Sequence, residues 1–213
     1  YENTPGSYDM EGAVNSPDAV AGLEMYKELY KCCTPPGYND SYMGEGLDAF
    51  KSGQVAMMMN WFAFMPGMAK DENVGKVTGF FVNPGEKIQA STLGGQGISI
   101  VNYSENKDEA FKFLEWFVKD ETQKKWAELG GYTANKAVLE SAEFQNATPY
   151  NKAFYDTMFK VKDFWATPEY AELLIQMNQR IYPYITGDQG TAKEALDALA
   201  ADWNATFKKY GRN

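Results

Sequence analysis

Seven positions in this sequence have residue types that suit the binding of a small polar molecule. An indole or phenol ring can cover the apolar C–H face of such a molecule, while amide groups exchange hydrogen bonds with its hydroxyls. Glycines let backbone amides approach a ligand closely. The candidates, in chain order, are Asn60, Trp61, Gly94, Gly95, Gln96, Tyr132 and Trp165.

Each candidate also has a packing interpretation, and the sequence leaves both interpretations open. Trp61 and Trp165 can be core residues, and Tyr132 can be a packed ring. The glycine pair Gly94-Gly95 can form a simple tight turn. Binding is favoured for Trp61 because this residue lies just beyond an apolar run that predicts a strand.

The composition argues against most catalytic and nucleic-acid chemistry. The chain has no histidine, which removes histidine-based acid–base and nucleophilic sites and most catalytic zinc sites. A net charge of −9 without a basic run argues against a nucleic-acid partner. The only arginines are Arg180 and Arg212, so a neutral, hydroxyl-rich ligand is favoured over an anion.

Motifs for metals and cofactors are equally scarce. Met57, Met58 and Met59 cannot all face one ion from a strand, so they are assigned to core packing. The acidic pairs at 71–72 and 120–121 are assigned to solvated faces and helix starts. The glycine-rich run 94–97 lacks the spacing of a phosphate-binding loop. We therefore predict no cofactor, no metal site and no catalytic residue.

Cys32 and Cys33 are the only cysteines, and they are adjacent. Because neighbouring cysteines close only a strained eight-membered ring, two thiols are the default expectation. Two alternatives stay open: a vicinal disulfide, and a bridge from one cysteine to a segment of chain outside this sequence. The sequence shows no signal peptide or membrane-spanning run and starts at Tyr1, so we expect a processed or truncated piece.

Apolar spacing and stop signals predict the elements that position the candidates. A helix over 41–52 should end at Gly53, which can adopt the left-handed conformation. The apolar run 55–59 then predicts a strand covered on both faces. In open α/β sheets ligands collect beyond the carboxyl ends of strands, which places Trp61 at a cleft. Two further strands are predicted, over 77–82 and 98–101.

Most of the remaining chain is predicted to be helical. Ser16 and Thr191 have the side chains preferred at helix N-termini. Pro183 is expected to kink or end the helix that contains it. The predicted helices cover residues 17–31, 108–119, 122–129, 137–143, 151–162, 168–183 and 192–210.

Five segments, in sequence order, resemble motifs of the family 1 extracellular solute-binding proteins, the receptors of ABC sugar importers. The first, residues 50–61, reads Phe-x-x-Gly-x-x-Ala-Met followed by an aromatic residue. The others resemble a glycine pair entering a strand, a helix with a Phe-Leu pair, a Gln-x-x-Trp helix with a Gly-Tyr turn, and a final helical pair. These segments lie at 94–100, 108–117, 122–132 and 168–196.

The resemblance implies an α/β fold, namely the C-terminal part of a two-lobe periplasmic-binding-protein (type II) fold that is helix-rich with a small sheet. It implies that residues 1–83 and 136–213 belong to the second lobe and that residues 84–135 cross back to the first. It covers only the C-terminal portion of the family's sequence. This chain is therefore expected to supply about half of the ligand cleft.

The resemblance also implies a function: the substrate-binding component of an ABC transporter, which binds a neutral sugar or polyol between two lobes. Partners would be that small molecule and the membrane permease subunits, and the protein would be a periplasmic or extracellular monomer, membrane-associated through the permease. Family members often present an aromatic residue to the cleft near the position of Trp165. Two alternatives stay open: a carbohydrate-processing enzyme with paired carboxylates, and a protein-interaction module.

Overall fold

The computed structural model of the chain describes residues 8–39, 41–85, 87–162 and 166–212. Within these residues it is helix-rich, with one sheet of two short parallel strands. This confirms the predicted fold class. The helices are α1 (Pro17–Cys33), α2 (Met43–Lys51), α3 (Met65–Ala69), α4 (Lys107–Phe117), α5 (Asp120–Glu128), α6 (Lys136–Glu140), α7 (Ala142–Ala147), α8 (Asn151–Met158), α9 (Tyr170–Gly187) and α10 (Ala192–Lys209). The strands are β1 (Ser91–Thr92) and β2 (Val161–Lys162), and a single 3₁₀ turn covers Phe62–Phe64.

The chain divides into two compact units. The first takes its residues from Tyr1–Tyr42 and Trp165–Asn213, and the second from Met43–Phe164. The assignment of 1–83, 84–135 and 136–213 to the lobes of a longer fold stays a prediction. Among the described residues, no helix is both long and apolar enough to cross a membrane.

The first unit is built from α1, α9 and α10, whose apolar faces share one core. The Trp203 indole N–H of α10 also donates a hydrogen bond to the Leu173 carbonyl of α9 at 3.0 Å. Both predicted N-terminal caps are confirmed: the Ser16 hydroxyl accepts from the Ala19 amide, and Thr191 forms a capping box with Glu194. The core members include Leu23, Leu173, Tyr184, Ile185, Leu196, Leu199 and Phe207.

Three helix boundaries differ from those predicted, each for a local reason. α9 continues through Pro183 to Gly187, because Tyr184 and Ile185 are buried and hold the last turn in place. The helix predicted over 137–143 is divided at Ser141, which is extended and caps α7 by accepting from the Phe144 amide. The helix predicted over 151–162 stops at Met158, since the residues that follow pair as β2.

The three predicted strands, over 55–59, 77–82 and 98–101, are also wrong. Their backbone is irregular, and they have no ladder partner within the described ranges. Met57 and Met59 expose 75% and 74% of their surface, so the run 55–59 is not covered on both faces as expected. Apolar character favours a strand, but a strand forms only where a neighbouring strand satisfies its backbone groups.

The structure joins Cys32 and Cys33 in a disulfide. The default expectation of two thiols is therefore wrong, and the vicinal disulfide left open by the sequence is the form observed. Both residues end α1, and the chain leaves the helix at Thr34 in an extended conformation. The ring therefore does not have to fit inside a continuing helix.

Asp188 ends α9 in the left-handed conformation, with φ of 54°. Hydrogen bonds from Lys27 and then Lys31 lower the pKa of its carboxyl to about 2. The folded-state pKa is thus depressed below the ordinary value of about 3.9. Its stabilising contribution is complete above about pH 4 and is lost as the pH falls through about 2.

We therefore expect Asp188→Asn to lower stability at neutral pH, since asparagine tolerates the same backbone conformation but carries no charge. Urea denaturation of both proteins between pH 2 and 7 measures the difference. The gap between their midpoints should narrow below about pH 4 as the wild-type carboxylate is protonated. A gap that stays constant across this range would contradict the ion-pair origin.

Candidate functional site

Trp61 lies between α2 and the 3₁₀ turn, in the second unit. The helix before it ends as predicted: Gly53 has φ of 76°, and its amide donates to the Phe50 carbonyl at 3.0 Å. The Trp61 amide donates to the side-chain oxygen of Asn60 at 2.8 Å, and the Trp61 carbonyl accepts from the Phe64 amide at 3.0 Å. The backbone of this half-buried tryptophan is therefore fixed on both sides.

The ring of Trp61 lies directly against Gly94. A Cβ placed on Gly94 would lie 2.6 Å from Cζ3 and 2.9 Å from Cε3 of the indole, so only glycine permits this approach. Strand β1 ends two residues before Gly94, and the Leu93 amide continues its pairing with β2 by donating to the Lys162 carbonyl at 2.8 Å. Two candidates that are distant in sequence are thereby brought together.

The other candidates of this region have different surroundings. Gly95 and Gln96 are exposed and follow Gly94 along the chain. A Cβ on Gly95 would meet no atom within 4 Å. The amide nitrogen of Asn60 lies 3.8 Å from the sulfur of Met58, while its oxygen holds the Trp61 amide. Asn60 thus shapes the backbone around Trp61.

Tyr132 reaches the same region through Phe62. Its hydroxyl donates to the Phe62 carbonyl, and its ring centroid lies 4.7 Å from that of Phe154 and 6.4 Å from that of Phe62. Burial, with a smaller effect of Tyr150, raises the pKa of Tyr132 well above its ordinary value. The phenol therefore stays protonated and remains a donor.

Trp165 lies outside the described residues, so its predicted position at the cleft stays a prediction. In sequence, the nearest described residues are Lys162, the end of β2, and Ala166. The pairing of β2 with β1 connects this part of the chain to the run that contains Gly94. Sequence reasoning missed this pairing, because two-residue strands carry almost no periodic signal.

The carboxylates that could suggest catalysis have structural partners. Asp71 accepts hydrogen bonds from the Asn73 and Val74 amides, which lower the pKa of its carboxyl, and it forms an ion pair with Lys51 at 3.6 Å. Asp120 accepts from the side-chain amide of Asn135 at 2.6 Å. In the part of the chain that the structure describes, no cluster of three or more metal-ligating side chains is present.

Sequence reasoning missed the packing and the hydrogen bonds that hold Tyr132 and its neighbour Thr133 in place. Helical spacing predicts that Phe154 faces inward, but it does not predict that this ring packs on Tyr132. Gln123 and Thr133 are buried and hydrogen-bonded to each other at 2.6 Å. A polar residue on a helix, here Gln123, is expected at the surface, so no local signal indicates its burial.

The fold is similar to that of solved structures that include the following three. The chain matches a maltose-bound MalE3 of T. maritima with a TM-score of 0.79 and 22% identity, over 91% of this chain and 51% of that one. It matches an ABC substrate-binding protein of Listeria monocytogenes in complex with cycloalternan (TM-score 0.74, 20% identity, 92% and 51%). It also matches a cyclic alpha-maltosyl-1,6-maltose binding protein of Arthrobacter globiformis (TM-score 0.73, 20% identity, 92% and 50%).

The chain therefore spans about half the length of each of these structures. A family model described as bacterial extracellular solute-binding protein matches residues 5–153, which is more than half of the 213 residues. The match includes Trp61 and Gly94, which are in direct contact, and Tyr132, which bonds the Phe62 carbonyl next to Trp61. This chain belongs to the family of bacterial extracellular solute-binding proteins.

Proposed function

We propose that this chain is part of the substrate-binding component of an ABC transporter and that it binds a neutral sugar or polyol. The contact between the Trp61 ring and the Gly94 backbone carries the proposal. Because glycine adds no side chain, the half-buried indole lies directly against the Gly94 backbone, and we assign the amides of this run to hydrogen bonds with ligand hydroxyls. Sugars present both an apolar C–H face and hydroxyls, which this pairing suits.

The charges of the chain support a neutral ligand. The side chain of Arg180 pairs with Asp202 at 2.7 Å, and that of Arg212 pairs with Glu169 at 3.2 Å. Arg180 is thus already held by a carboxylate at two of its nitrogens, and Arg212 has a carboxylate partner at Nε, which leaves little cationic surface for an anionic ligand. The ligands named for the three matched structures are sugars, which agrees with this class.

In this proposal Trp61 stacks on the ligand, and the backbone around Gly94 and Gly95 contributes amide hydrogen bonds. The exposed carboxamide of Gln96 adds a donor and an acceptor. The remaining site residues are Asn60, Tyr132 and Trp165, of which the first two also hold the loop that carries Trp61.

We propose binding without catalysis. The alternative of a carbohydrate-processing enzyme needs two carboxylates beside an aromatic cleft, whereas Asp71 and Asp120 are held by structural hydrogen bonds. The alternative of a protein-interaction module rests on the exposed aromatic residues of α4 and α5. We assign those residues to contact within the same fold.

The test is a calorimetric titration of the longest natural form of the protein with maltose, maltotriose, a cyclic glucose oligomer, a polyol and several amino acids. A saturable 1:1 complex with a sugar or polyol supports the proposal. Binding of an amino acid alone, or of no small molecule, overturns it. Chromatography of the sugars after prolonged incubation tests the enzyme alternative, which predicts turnover.

We further propose that residues 84–135 contribute to one lobe of a longer fold and that residues 1–83 and 136–213 contribute to the other. The support is an aromatic surface on α4 and α5, the α4–α5 face, made of Phe113, Trp116, Phe117 and Trp126. Successive rings lie 5.6 to 6.5 Å apart, yet Phe113 and Trp116 are more than half exposed. Contiguous apolar surface of this kind marks an interaction site.

We expect Phe113→Gln together with Trp116→Gln to reduce binding of the dye ANS to the 213-residue chain, because both changes remove exposed apolar surface from a helix without breaking it. Fluorescence titration measures the effect, and Glu115→Gln on the same helix is the control.

If the lobe assignment holds, amide exchange in α4 and α5 is slower in a longer natural form than in this chain. Equal exchange would contradict it.

The proposed partners are the small-molecule ligand and the membrane permease subunits of the transporter, and the proposed state is a periplasmic or extracellular monomer associated with the membrane only through that permease. Ligand bridging two lobes would favour the closed form, and the closed form would dock on the permease. Family membership supports the extracellular location.

A further inference from the structure

We propose that Tyr132 is a positioning residue for Trp61 and that it acts through the Phe62 carbonyl. This inference rests on the proposed role of Trp61 in ligand binding. Phe62 follows Trp61 directly, and its carbonyl accepts two hydrogen bonds, from the Tyr132 hydroxyl and from the Met65 amide. These bonds fix the 3₁₀ turn whose first residue follows Trp61.

The turn in question also holds the backbone of Trp61. Its last residue, Phe64, donates its amide to the Trp61 carbonyl at 3.0 Å. If the Phe62 carbonyl loses a donor, the turn is held less firmly, and the hydrogen bond from the Phe64 amide to the Trp61 carbonyl weakens. This bond fixes the backbone from which the Trp61 side chain extends. The indole lies close enough to Gly94 that a Cβ there would come within 2.6 Å of it, so a rotation of the turn would move the ring away from this contact.

Tyr132 can transmit position because its own backbone is held on both sides. On one side, Gly131 lies so close to the Trp126 ring that a Cβ would come within 2.1 Å of it, and the Gly131 amide donates to the Trp126 carbonyl at 2.9 Å. On the other side, Thr133 is buried and donates to the side-chain oxygen of Gln123 at 2.6 Å. Both contacts anchor the tyrosine to α5.

The anchor extends one step further into the second unit. Gln123 donates its side-chain amide to the Phe117 carbonyl at the end of α4, at 2.7 Å. The Thr133 hydroxyl also accepts from the Asn135 amide at 2.9 Å. Both polar side-chain atoms of Gln123 and the Thr133 hydroxyl thus have hydrogen-bond partners, and such networks hold one geometry in preference to others. The geometry assigns α5 as the base from which Tyr132 supports the Trp61 turn.

The test is Tyr132→Phe in the full chain, which keeps the ring and removes only the hydroxyl bond. Residue-resolved amide hydrogen exchange by NMR reports on the turn, because the Phe64 amide bonds the Trp61 carbonyl. We expect exchange at Phe64 to accelerate about 2- to 13-fold, the factor that corresponds to loss of one hydrogen bond. Tyr155→Phe, a half-buried tyrosine of α8 whose ring contacts Phe159, is the matched control and should leave Phe64 unchanged.

A merely structural role gives a different pattern. If Tyr132 only contributes packing and general stability, amides throughout the second unit accelerate together, and the inference is overturned. It is overturned equally if Phe64 exchange does not change. Thr133→Val should accelerate Phe64 as well, because it leaves the side-chain oxygen of Gln123 without its donor, whereas Thr133→Ser keeps the hydroxyl and should retain slow exchange.

Ligand binding provides a separate readout. Maltose is the probe, and its affinity should fall in Tyr132→Phe if Trp61 stacks on the sugar. If the wild-type protein binds neither maltose nor any other sugar of the panel, the proposed function fails, while Phe64 exchange still decides the positioning role. The two failures are thus distinguishable.

Discussion

Replacement of Gly94 by alanine is expected to displace the Trp61 ring and to lower the free energy of unfolding by about 1–3 kcal/mol, the usual effect of an extra methyl group in a filled space. The added Cβ would lie 2.6 Å from the indole carbon Cζ3. This separation is far below van der Waals contact, so either the indole or the backbone must move. Urea denaturation measures the loss, and near-ultraviolet circular dichroism reports the environment of the ring.

Gly97→Ala is the matched control for this prediction. Gly97 lies three residues further along the same run, and a Cβ placed there would meet no atom within 4 Å. Its φ is outside the left-handed range, so alanine should be tolerated and should stabilise slightly through the unfolded chain. Equal effects of Gly94→Ala and Gly97→Ala would show that the contact between Trp61 and Gly94 has no energetic weight.

The second large effect is expected for ligand binding by Trp61→Ala. Full burial of a large apolar side chain contributes roughly 1.5–3 kcal/mol, and loss of the stacked indole forfeits up to this amount, so the affinity for maltose, or for the best sugar of the panel, should fall by up to about 100-fold. The fold should be retained, because Trp61 is only half-buried and lies outside the cluster formed around Phe154. Calorimetry measures the affinity, and far-ultraviolet circular dichroism measures the helix content.

Trp203→Ala provides the contrast to this variant. Trp203 packs against the core of the first unit and donates to the Leu173 carbonyl, so its loss should lower stability. The affinity of the protein that remains folded should not change. If Trp61→Ala instead unfolds the chain and leaves the affinity of the folded fraction intact, Trp61 is a packing residue and the stacking proposal fails.

Local chemistry was sufficient to predict several elements of the fold. Ser16 and Thr191 cap their helices because a hydroxyl at that position satisfies an amide that the helix leaves unpaired. Gly53 ends α2 because the left-handed conformation costs glycine little. These features depend on residues within one turn of each other, so the amino-acid order carries the information.

The candidate site was predictable in part. Residue type indicates both Trp61 and Gly94 as candidates, but their mutual contact follows from how the chain folds between them. Residue type indicates Tyr132 as a possible ligand contact, whereas the structure directs its hydroxyl to the Phe62 carbonyl. The partner of a side chain 70 residues away depends on packing, which neither residue type nor spacing specifies.

The strands show most clearly what required the tertiary structure. The apolar runs 55–59, 77–82 and 98–101 have strand-like composition, yet in this chain they stay irregular, while the two residues at 91–92 and the two at 161–162 pair. Helical hydrogen bonds close within four residues, so a helix can be recognised from its own segment. A strand takes its partner from elsewhere, and for that reason both the sheet and the contact of Trp61 with Gly94 were decided only by the folded chain.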